Sequence, residues 1–483
     1  MPDLSILGLQ KSVDDYHDAD EYPGVRLDHT SEDVQEAVEA VVASYQAGGV
    51  EWSFPFSDGG DFEQEFEAAF NSAQAEVNRQ SGPGYPYRLF SQQNGKFLDQ
   101  FGEEVKERVK ERVRSILFDG HEFDKLADEP LSWLKLGLRD PDRLFPKNQA
   151  LPKRKPLPRV ICGASLVDQL VTRIFFQGFA KSEGKCYPHV VTTKKGVGFS
   201  DEHAQAIGEQ VETLSELFGA PPKVSDVKGW EKTFDRSVAE CSRRPMIMTC
   251  KNYQACVHSF HQAFEWWKHS LCTNCAVFDD GTLIVFMDDK VQRSGNYLTT
   301  TSNGIGRATC AFLVGSIPCT AGDDCFEWNE MSVDELIDAY KKIGLSVRDV
   351  SQVRPNSVDF CSHHFYKKGG CDGAWTCYLF AYQRMLWEAS RDRKIDPNSD
   401  ENWLKEIENA PDCEFVDLVK VFLNERNRVL RAVAEHAKAR SGCGTAETTA
   451  RTKDENEEKD SESDPEDRAG CDSLKVWESR AED

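Results

Sequence analysis

Asp323 and Asp324 follow Gly322 in "CTAGDDCFEWN", residues 319–329, between short apolar flanks. Like charges on neighbouring residues repel, and a divalent cation would offset that repulsion; a solvated loop is the alternative. Other pairs occur at Asp14-Asp15, Asp279-Asp280 and Asp288-Asp289, so a pair alone decides nothing. Asp279-Asp280 runs into Gly281 and reads as an ordinary hairpin turn. Asp226, in "SDVKGWEKTFD", ends a predicted strand. Paired with Asp323 it would bridge two Mg²⁺ (or Mn²⁺) ions, which stabilise the attacking and the leaving oxygen of an in-line phosphoryl displacement. Hard divalent ions take carboxylate oxygens, and substrate phosphates complete their shell. Two unrelated surface acids are the competing reading.

Three further clusters suit the same chemistry. "KNQALPKRKPLPRVICG", residues 147–163, carries Lys155 and Arg159 among three prolines. The prolines forbid a regular helix and favour an extended cationic arm. Such an arm can clamp a triphosphate, arginine offering the bidentate fork; a solvated basic loop is the alternative. "RSGNYLTTTSNGIGRA" holds Ser294 and Gly295 in a loop, then Thr299 and Asn303 in a run poor in helix formers. As a helix start it would present a small polar face to a nucleotide sugar or a template backbone; as a surface loop it would do nothing. "VDFCSHHFYKKGG" reads as a strand, and Lys341 in "DAYKKIGLSV" is either a solvated lysine or a proton donor for departing pyrophosphate.

These groups need elements to carry them. Helical patterns cover Phe62 to Arg79 and Phe101 to Phe118, separated by the proline- and glycine-rich "SGPGYPY", residues 81–87. Ser165 with Asp168 three residues on forms a predicted capping box for a helix from 166, whose stripe is Leu166, Leu170, Val171, Ile174 and Phe175. "AVFDDGTLIVFM" and "IPCTAGDDCFEWN" read as strand–turn–strand units, the second with Asp323 and Asp324 at its tip. Beyond Ala374 the pattern turns helical, and residues 1–60 look irregular. The order predicts an α+β fold with a small antiparallel sheet carrying the acids.

The chain has 58 basic and 82 acidic residues, a formal charge of −24, which taken as a sum argues against a nucleic-acid partner. Distribution matters more. Residues 444–483 hold 14 acids against 6 bases, and 441–483 read as an acidic disordered tail. Lys147, Lys153, Arg154, Lys155, Arg159 and Arg173 crowd a stretch opposed by Asp168 alone. No apolar run reaches the 18 residues of a spanning helix and no secretory signal is visible, so the 16 cysteines are expected as reduced thiols. Cys256, His258, His261, His269, Cys272 and Cys275 offer a side hypothesis, a zinc site, because Cys272-x-x-Cys275 has ligand spacing.

Taken together the motifs resemble those of RNA-dependent RNA polymerases of positive-strand RNA viruses, the sobemovirus, polerovirus and barnavirus group above all. Matching elements run in family order from about Ser81 to Lys367. "SGPGYPY" is similar to the motif that admits template to the fingers, and "KRKPLPRVICGASLVDQLVTRIFF" to the basic finger motif and its following helix. The resemblance implies Arg159, with Lys155, as triphosphate contacts. It makes Asp226, Asp323 and Asp324 the ion ligands, Asp324 the weaker. Glu231, where the family has aspartate, and Asn303 would sense the ribose 2′-hydroxyl, a group that separates RNA from DNA substrates. Ser294, Gly295, Thr299 and Asn303 match the family's serine–glycine, threonine, asparagine pattern, and Lys341 its candidate general acid. "FCSHHF" resembles the primer-grip strand.

The implied architecture is a right hand: fingers over 61–220, a palm over 221–365 with an insertion near 240–290, and a helical thumb over 366–440. The implied partners are template and nascent RNA, nucleoside triphosphates and, as the plant members suggest, a genome-linked protein primer, with de novo initiation the alternative. Work in the host cytoplasm, at membrane-associated replication sites reached through partners, is implied as well. Two rivals stand. A reverse transcriptase usually has a bulky aromatic where Glu231 stands and another residue for Gly322. A non-catalytic RNA-binding replication scaffold would need neither Asp226 nor Asp323.

Overall fold

The strand that carries Asp226, Lys223–Val227, is an interior strand of its four-stranded sheet. The structure is a computed structural model and describes residues 6–14, 24–147, 159–186, 191–195, 200–272, 275–286, 292–353, 356–370, 372–380, 382, 385–386, 399–411 and 413–442. Lys155, most of the proline-rich arm and the acidic tail lie outside them.

Eleven strands are seen among the described residues: β1 (Asp142–Pro146), β2 (Val160–Gly163), β3 (Lys223–Val227), β4 (Cys275–Val277), β5 (Leu283–Val285), β6 (Ile317–Ala321), β7 (Asp324–Trp328), β8 (Val347–Gln352), β9 (Ser357–Phe360), β10 (His363–Lys368) and β11 (Ala374–Leu379). They form three sheets, ordered β6-β7-β3-β8, β2-β1-β4-β5 and β11-β10-β9. The first is antiparallel throughout. The predicted α+β character is observed, with the expected hairpins at β4–β5 and β6–β7.

Several helices begin where local chemistry says they should. Ser165 caps Leu166–Lys185 by accepting from Asp168 N at 3.0 Å. The reciprocal half of the box is missing, because the Asp168 carboxylate is bonded to Arg112 and to Asp140 N instead. A full capping box occurs at Ser332 and Glu335, opening Val333–Lys342. The Phe62–Ala75 helix starts where expected and stops four residues short of the predicted Arg79. Asn94–Phe118 starts earlier than predicted and leaves helical angles at Phe101, the residue where the sequence pattern placed its start.

Two expectations are corrected. Residues 1–60 are not irregular throughout: they carry helices Ile6–Asp14 and Glu32–Ala47. The second is capped by Ser31 and buries Val34, Ala37, Val38, Val41, Val42 and Tyr45, a helical stripe that its surface acids disguise. The chain is not helical from Ala374 either. Residues 374–379 are β11, consistent with their aromatic and β-branched content, and the long helices come later, at Ser399–Glu406 and Glu414–Gly442.

The described chain forms two compact bodies, one running to Cys377 and one from Tyr378. The first is built on an aromatic core in which Trp52, Phe54, Phe175, Phe176, Phe179, Phe260 and Trp267 are buried together, with Trp52 edge-on to Phe179 at 5.7 Å. The second has its own small core of Leu379, Met385, Ile407, Ala410, Val416, Val419 and Leu423. The described cysteines are free thiols. No helix among the described residues is long and apolar enough to cross a membrane.

Candidate active site

The β6–β7 hairpin pairs Ala321 with Asp324, leaving Gly322 and Asp323 as a two-residue loop. Gly322 takes φ 67°, the left-handed geometry such a turn needs in its first position and that a side chain would oppose. The glycine therefore has a conformational reason to precede the two acids. β7 pairs in turn with β3, Ser225 facing Cys325. Continued by one residue, that register sets Asp226 against Asp324.

The electrostatics record this crowding. Both turn acids are open to solvent, yet protein surrounds them on enough sides to raise their carboxyls. Asp323 is raised by burial first, then by the charges of Glu231 and Asp226, with Arg159 acting in the opposite sense. Asp324 is pushed up to about 6 by burial and by Asp323, while a hydrogen bond from the Cys361 thiol works against the rise. Asp226 is half-exposed and accepts a bond from Arg348 Nε at 2.7 Å across the β3–β8 pair. Among the described residues these three carboxylates do not gather their oxygens within 4.8 Å. As a donor set they fit a hard divalent cation: all oxygen, mutually repelling and open on one side. Such an ion would draw Asp226 away from Arg348.

Next to the turn lies a cavity of about 280 Å³ lined by residues from well-separated parts of the chain, among them Lys147, Arg159, Trp230, Glu231, Gln292, Ser294, Thr299, Asn303 and Asp323. Arg159 stands just before β2, its carbonyl accepting from Lys147 N at 2.7 Å in continuation of the β1–β2 ladder. Glu231 sits on the short Trp230–Thr233 helix, tied by its carbonyl to Gln292 N at 2.9 Å. Ser294 follows Arg293, which is buried and paired with Asp142 at 2.6 Å. Thr299 and Asn303 are one turn apart on the Thr299–Leu313 helix, so the polar run is indeed a helix start.

The roles differ in what the geometry permits. Thr299 Oγ1 donates to the carbonyls of Arg293 and Asn296, both at 2.8 Å, and so holds the Ser294 loop against the helix. Asn303 Oδ1 is buried and accepts no hydrogen bond from the protein. An acceptor left this way costs free energy unless a ligand donor reaches it. Gly295 lies so close to β2 that a Cβ would stand 2.1 Å from the Cys162 carbonyl oxygen, which accounts for glycine after Ser294.

Not every expected residue joins the cavity. Lys341 is exposed near the C-terminal end of Val333–Lys342 and is not part of the lining. Asp226, Asp324 and Gly295 likewise lie outside the lining, and Lys155 falls outside the described residues. Conversely, Gln292 lines the cavity without having drawn attention. It precedes Ser294 by two residues, is buried, and donates to Ser302 Oγ at 3.3 Å. Lys147 belonged to the noted basic cluster, but nothing in its spacing marked it as a lining residue.

The zinc hypothesis does not survive among the described residues. Cys256 donates to Asn252 O and Cys275 to Pro130 O, while Arg243 and Arg236 bond His261 and His269. The one described group whose ligand atoms meet is Asp124, Glu265 and His269, and Lys268 already sits 2.8 Å from Glu265.

Comparison with known proteins gives the site its context. No family model matches the chain. The Replicase polyprotein P2AB of Southern bean mosaic virus is 29% identical over 393 residues, spanning 78% of this chain and 38% of that polyprotein. The corresponding polyprotein of Cocksfoot mottle virus is 30% identical over 67% of this chain and 34% of its own length. Protein P1-P2 of Turnip yellows virus is 30% identical over 50% of this chain and 23% of its own length. The chain thus spans well under half the length of each of these relatives. It is a homologue of the viral replicase polyproteins of the sobemovirus and polerovirus group.

Proposed function

We propose that this chain is the polymerase part of such a replicase and copies RNA by template-directed nucleotidyl transfer. The observation that carries the reading is the cavity beside the Gly322-Asp323 turn, where Arg159, Glu231, Ser294, Thr299, Asn303 and Asp323 meet although more than 160 positions separate the first from the last. Two Mg²⁺ or Mn²⁺ ions, held by Asp226 and Asp323 with Asp324 as the weaker ligand, would supply neutralisation of the attacking 3′-hydroxyl and the leaving pyrophosphate. Arg159 offers its guanidinium fork to the triphosphate, with Lys155 as a second contact. Asn303 Oδ1, unpartnered within the protein, accepts from the ribose 2′-hydroxyl, with Glu231 nearby. Lys341 is the candidate proton donor for pyrophosphate.

In this reading residues 61–220, 221–365 and 366–440 act as fingers, palm and thumb of a right hand, the palm being the β6-β7-β3-β8 sheet. Template RNA is held through its phosphates, so its binding weakens steeply with added salt. A genome-linked protein is the primer the likeness favours. The setting is the host cytoplasm, with replication membranes reached through partners.

The test is incorporation of labelled ribonucleotides on an RNA template by the purified chain, with and without Mg²⁺. Asp323→Asn should lower the rate by at least roughly 10²-fold, the scale of losing one preorganised transition-state contact. Wild-type rates in that variant would end the two-ion reading. Preference for deoxynucleotides would favour the reverse-transcriptase rival, and RNA binding with no incorporation at all the scaffold.

A further inference from the structure

Behind the candidate site lies a closed ring of four buried side chains. Arg307 donates through Nη1 to Tyr340 Oη at 2.7 Å and through Nη2 to Ser225 Oγ at 2.5 Å. Tyr340 Oη donates to Glu327 Oε2 and Ser225 Oγ to Glu327 Oε1, each at 2.7 Å. Arg307 also meets Glu327 directly at 3.4 Å. Each hydroxyl accepts from the cation and donates to the anion, so both spend their one proton on the carboxylate. Arg307, Glu327 and Tyr340 are completely buried, and Ser225 nearly so.

The position of each member in the chain is what matters. Ser225 immediately precedes Asp226 on β3. Glu327 lies on β7, which begins at Asp324. Arg307 is one helical turn beyond Asn303, and Tyr340 immediately precedes Lys341. Four elements that present candidate catalytic or sugar-sensing groups are therefore fixed to one another by a single network.

An ion pair in this setting is a weak source of net stability. Desolvating both charges offsets most of their attraction, and replacing a buried pair by apolar groups of similar volume is often neutral or stabilising. Arg307 Nε has no partner within the protein, but both hydroxyls and both carboxylate oxygens are bonded, and what such a network does supply is fixed geometry. On the polymerase reading above, on which this rests, we infer that Arg307 is a positioning residue: through Ser225, Glu327 and Tyr340 it sets the distance between Asp226, the Asp323-Asp324 turn and Asn303. Displacements near 1 Å at a reacting centre cost about 10²-fold in rate. Removing a supporting partner of a metal ligand costs about 10–100-fold in affinity or activity.

The experiment uses the full chain with Arg307→Met and Glu327→Leu combined, which removes both charges and retains most of the volume, and separately Tyr340→Phe, which removes one hydroxyl. Unfolding, Mn²⁺ binding by electron spin resonance, and the ratio of ribo- to deoxynucleotide incorporation are read in parallel. The double variant should still fold, with a midpoint lowered by the two buried hydroxyls left without these partners, while its Mn²⁺ affinity falls about 10-fold or more and its sugar discrimination drops with it. Tyr340→Phe should fold and show a smaller loss of both. Unchanged Mn²⁺ affinity and discrimination in a folded double variant would overturn the inference. Should the double variant fail to fold, the same absence of change in Tyr340→Phe would overturn it. If the wild-type chain incorporates nothing yet Mn²⁺ affinity falls in the variants, the polymerase reading fails and the positioning of Asp226 against Asp323 stands.

Discussion

Replacing Gly295 by alanine should damage the site through a contact that can be measured in advance. The added Cβ would stand 2.1 Å from the Cys162 carbonyl oxygen on β2, whereas real Cβ atoms essentially never come nearer than 3.0 Å. The Ser294 loop or β2 must therefore retreat by about 0.9 Å. Backbone on both sides leaves no flexible side chain to yield. Forcing atoms into a filled space costs about 1–3 kcal/mol. Cys162 and Ser294 both line the cavity, so the displacement falls where about 1 Å carries about a 10²-fold penalty in rate. Urea unfolding and equilibrium binding of a nucleoside triphosphate measure the two effects on one preparation. Gly315→Ala is the comparison. There the new Cβ meets nothing within 4 Å and only the backbone angle, φ 82°, is opposed, at a cost of about 1–2 kcal/mol. Gly315→Ala should lose stability with nucleotide affinity intact, and Gly295→Ala should lose both. Wild-type stability and affinity in Gly295→Ala would refute the close packing of loop on strand.

Other outcomes follow from single groups. Arg348→Ala should lower the Mn²⁺ concentration for half-saturation about 3-fold, since an exposed ion pair worth up to about 1 kcal/mol no longer competes for Asp226; an unchanged titration would show that Arg348 does not oppose the ion. Asn303→Ala should reduce the preference for ribo- over deoxynucleotides by roughly 10-fold, the worth of one buried hydrogen bond, as seen in competition between the two substrates. Asp58→Ala should cost about 1–2 kcal/mol, because Asp58 accepts from His258 N, Ser259 N and Ser259 Oγ and so caps the Val257–Leu271 helix from a distant loop. Although burial opposes it, those bonds hold the Asp58 carboxyl below its ordinary value of 3.8. Its contribution is therefore complete above pH 4 and lost as pH falls below it, and acid unfolding of the variant should lack that component.

What the sequence disclosed about this site was local, and what it concealed was tertiary. Gly322 before Asp323 is legible because the turn demands a positive φ and short apolar runs flank it on both sides. Ser165 announces its helix because an N-cap acts within three residues. The Asp168 carboxylate was misread for the same reason: its partner Arg112 lies 56 positions away, and no short-range rule sees a cation arriving from another helix. Gln292 was missed because glutamine carries no chemical signature until Glu231 and Ser302 are brought beside it. The Cys272 and Cys275 spacing suggested zinc, yet Cys272 follows the end of a helix, Cys275 opens β4, and the Cys275 thiol reaches the Pro130 carbonyl instead. The helix at Glu32–Ala47 was hidden by its acidic exposed face, although its apolar stripe was there to read.

Asp226 and Asp323 are proposed to act as a pair on divalent ions, and direct Mn²⁺ binding tests this without requiring catalysis. Titration of the full chain at neutral pH, followed by electron spin resonance, should show ions taken up by the wild type. Asp226→Asn and Asp323→Asn should each weaken that uptake, and the double variant should lose little more than the weaker single one, because both would act on the same ions. Uptake unaffected by either substitution, or losses that simply add, would contradict the account.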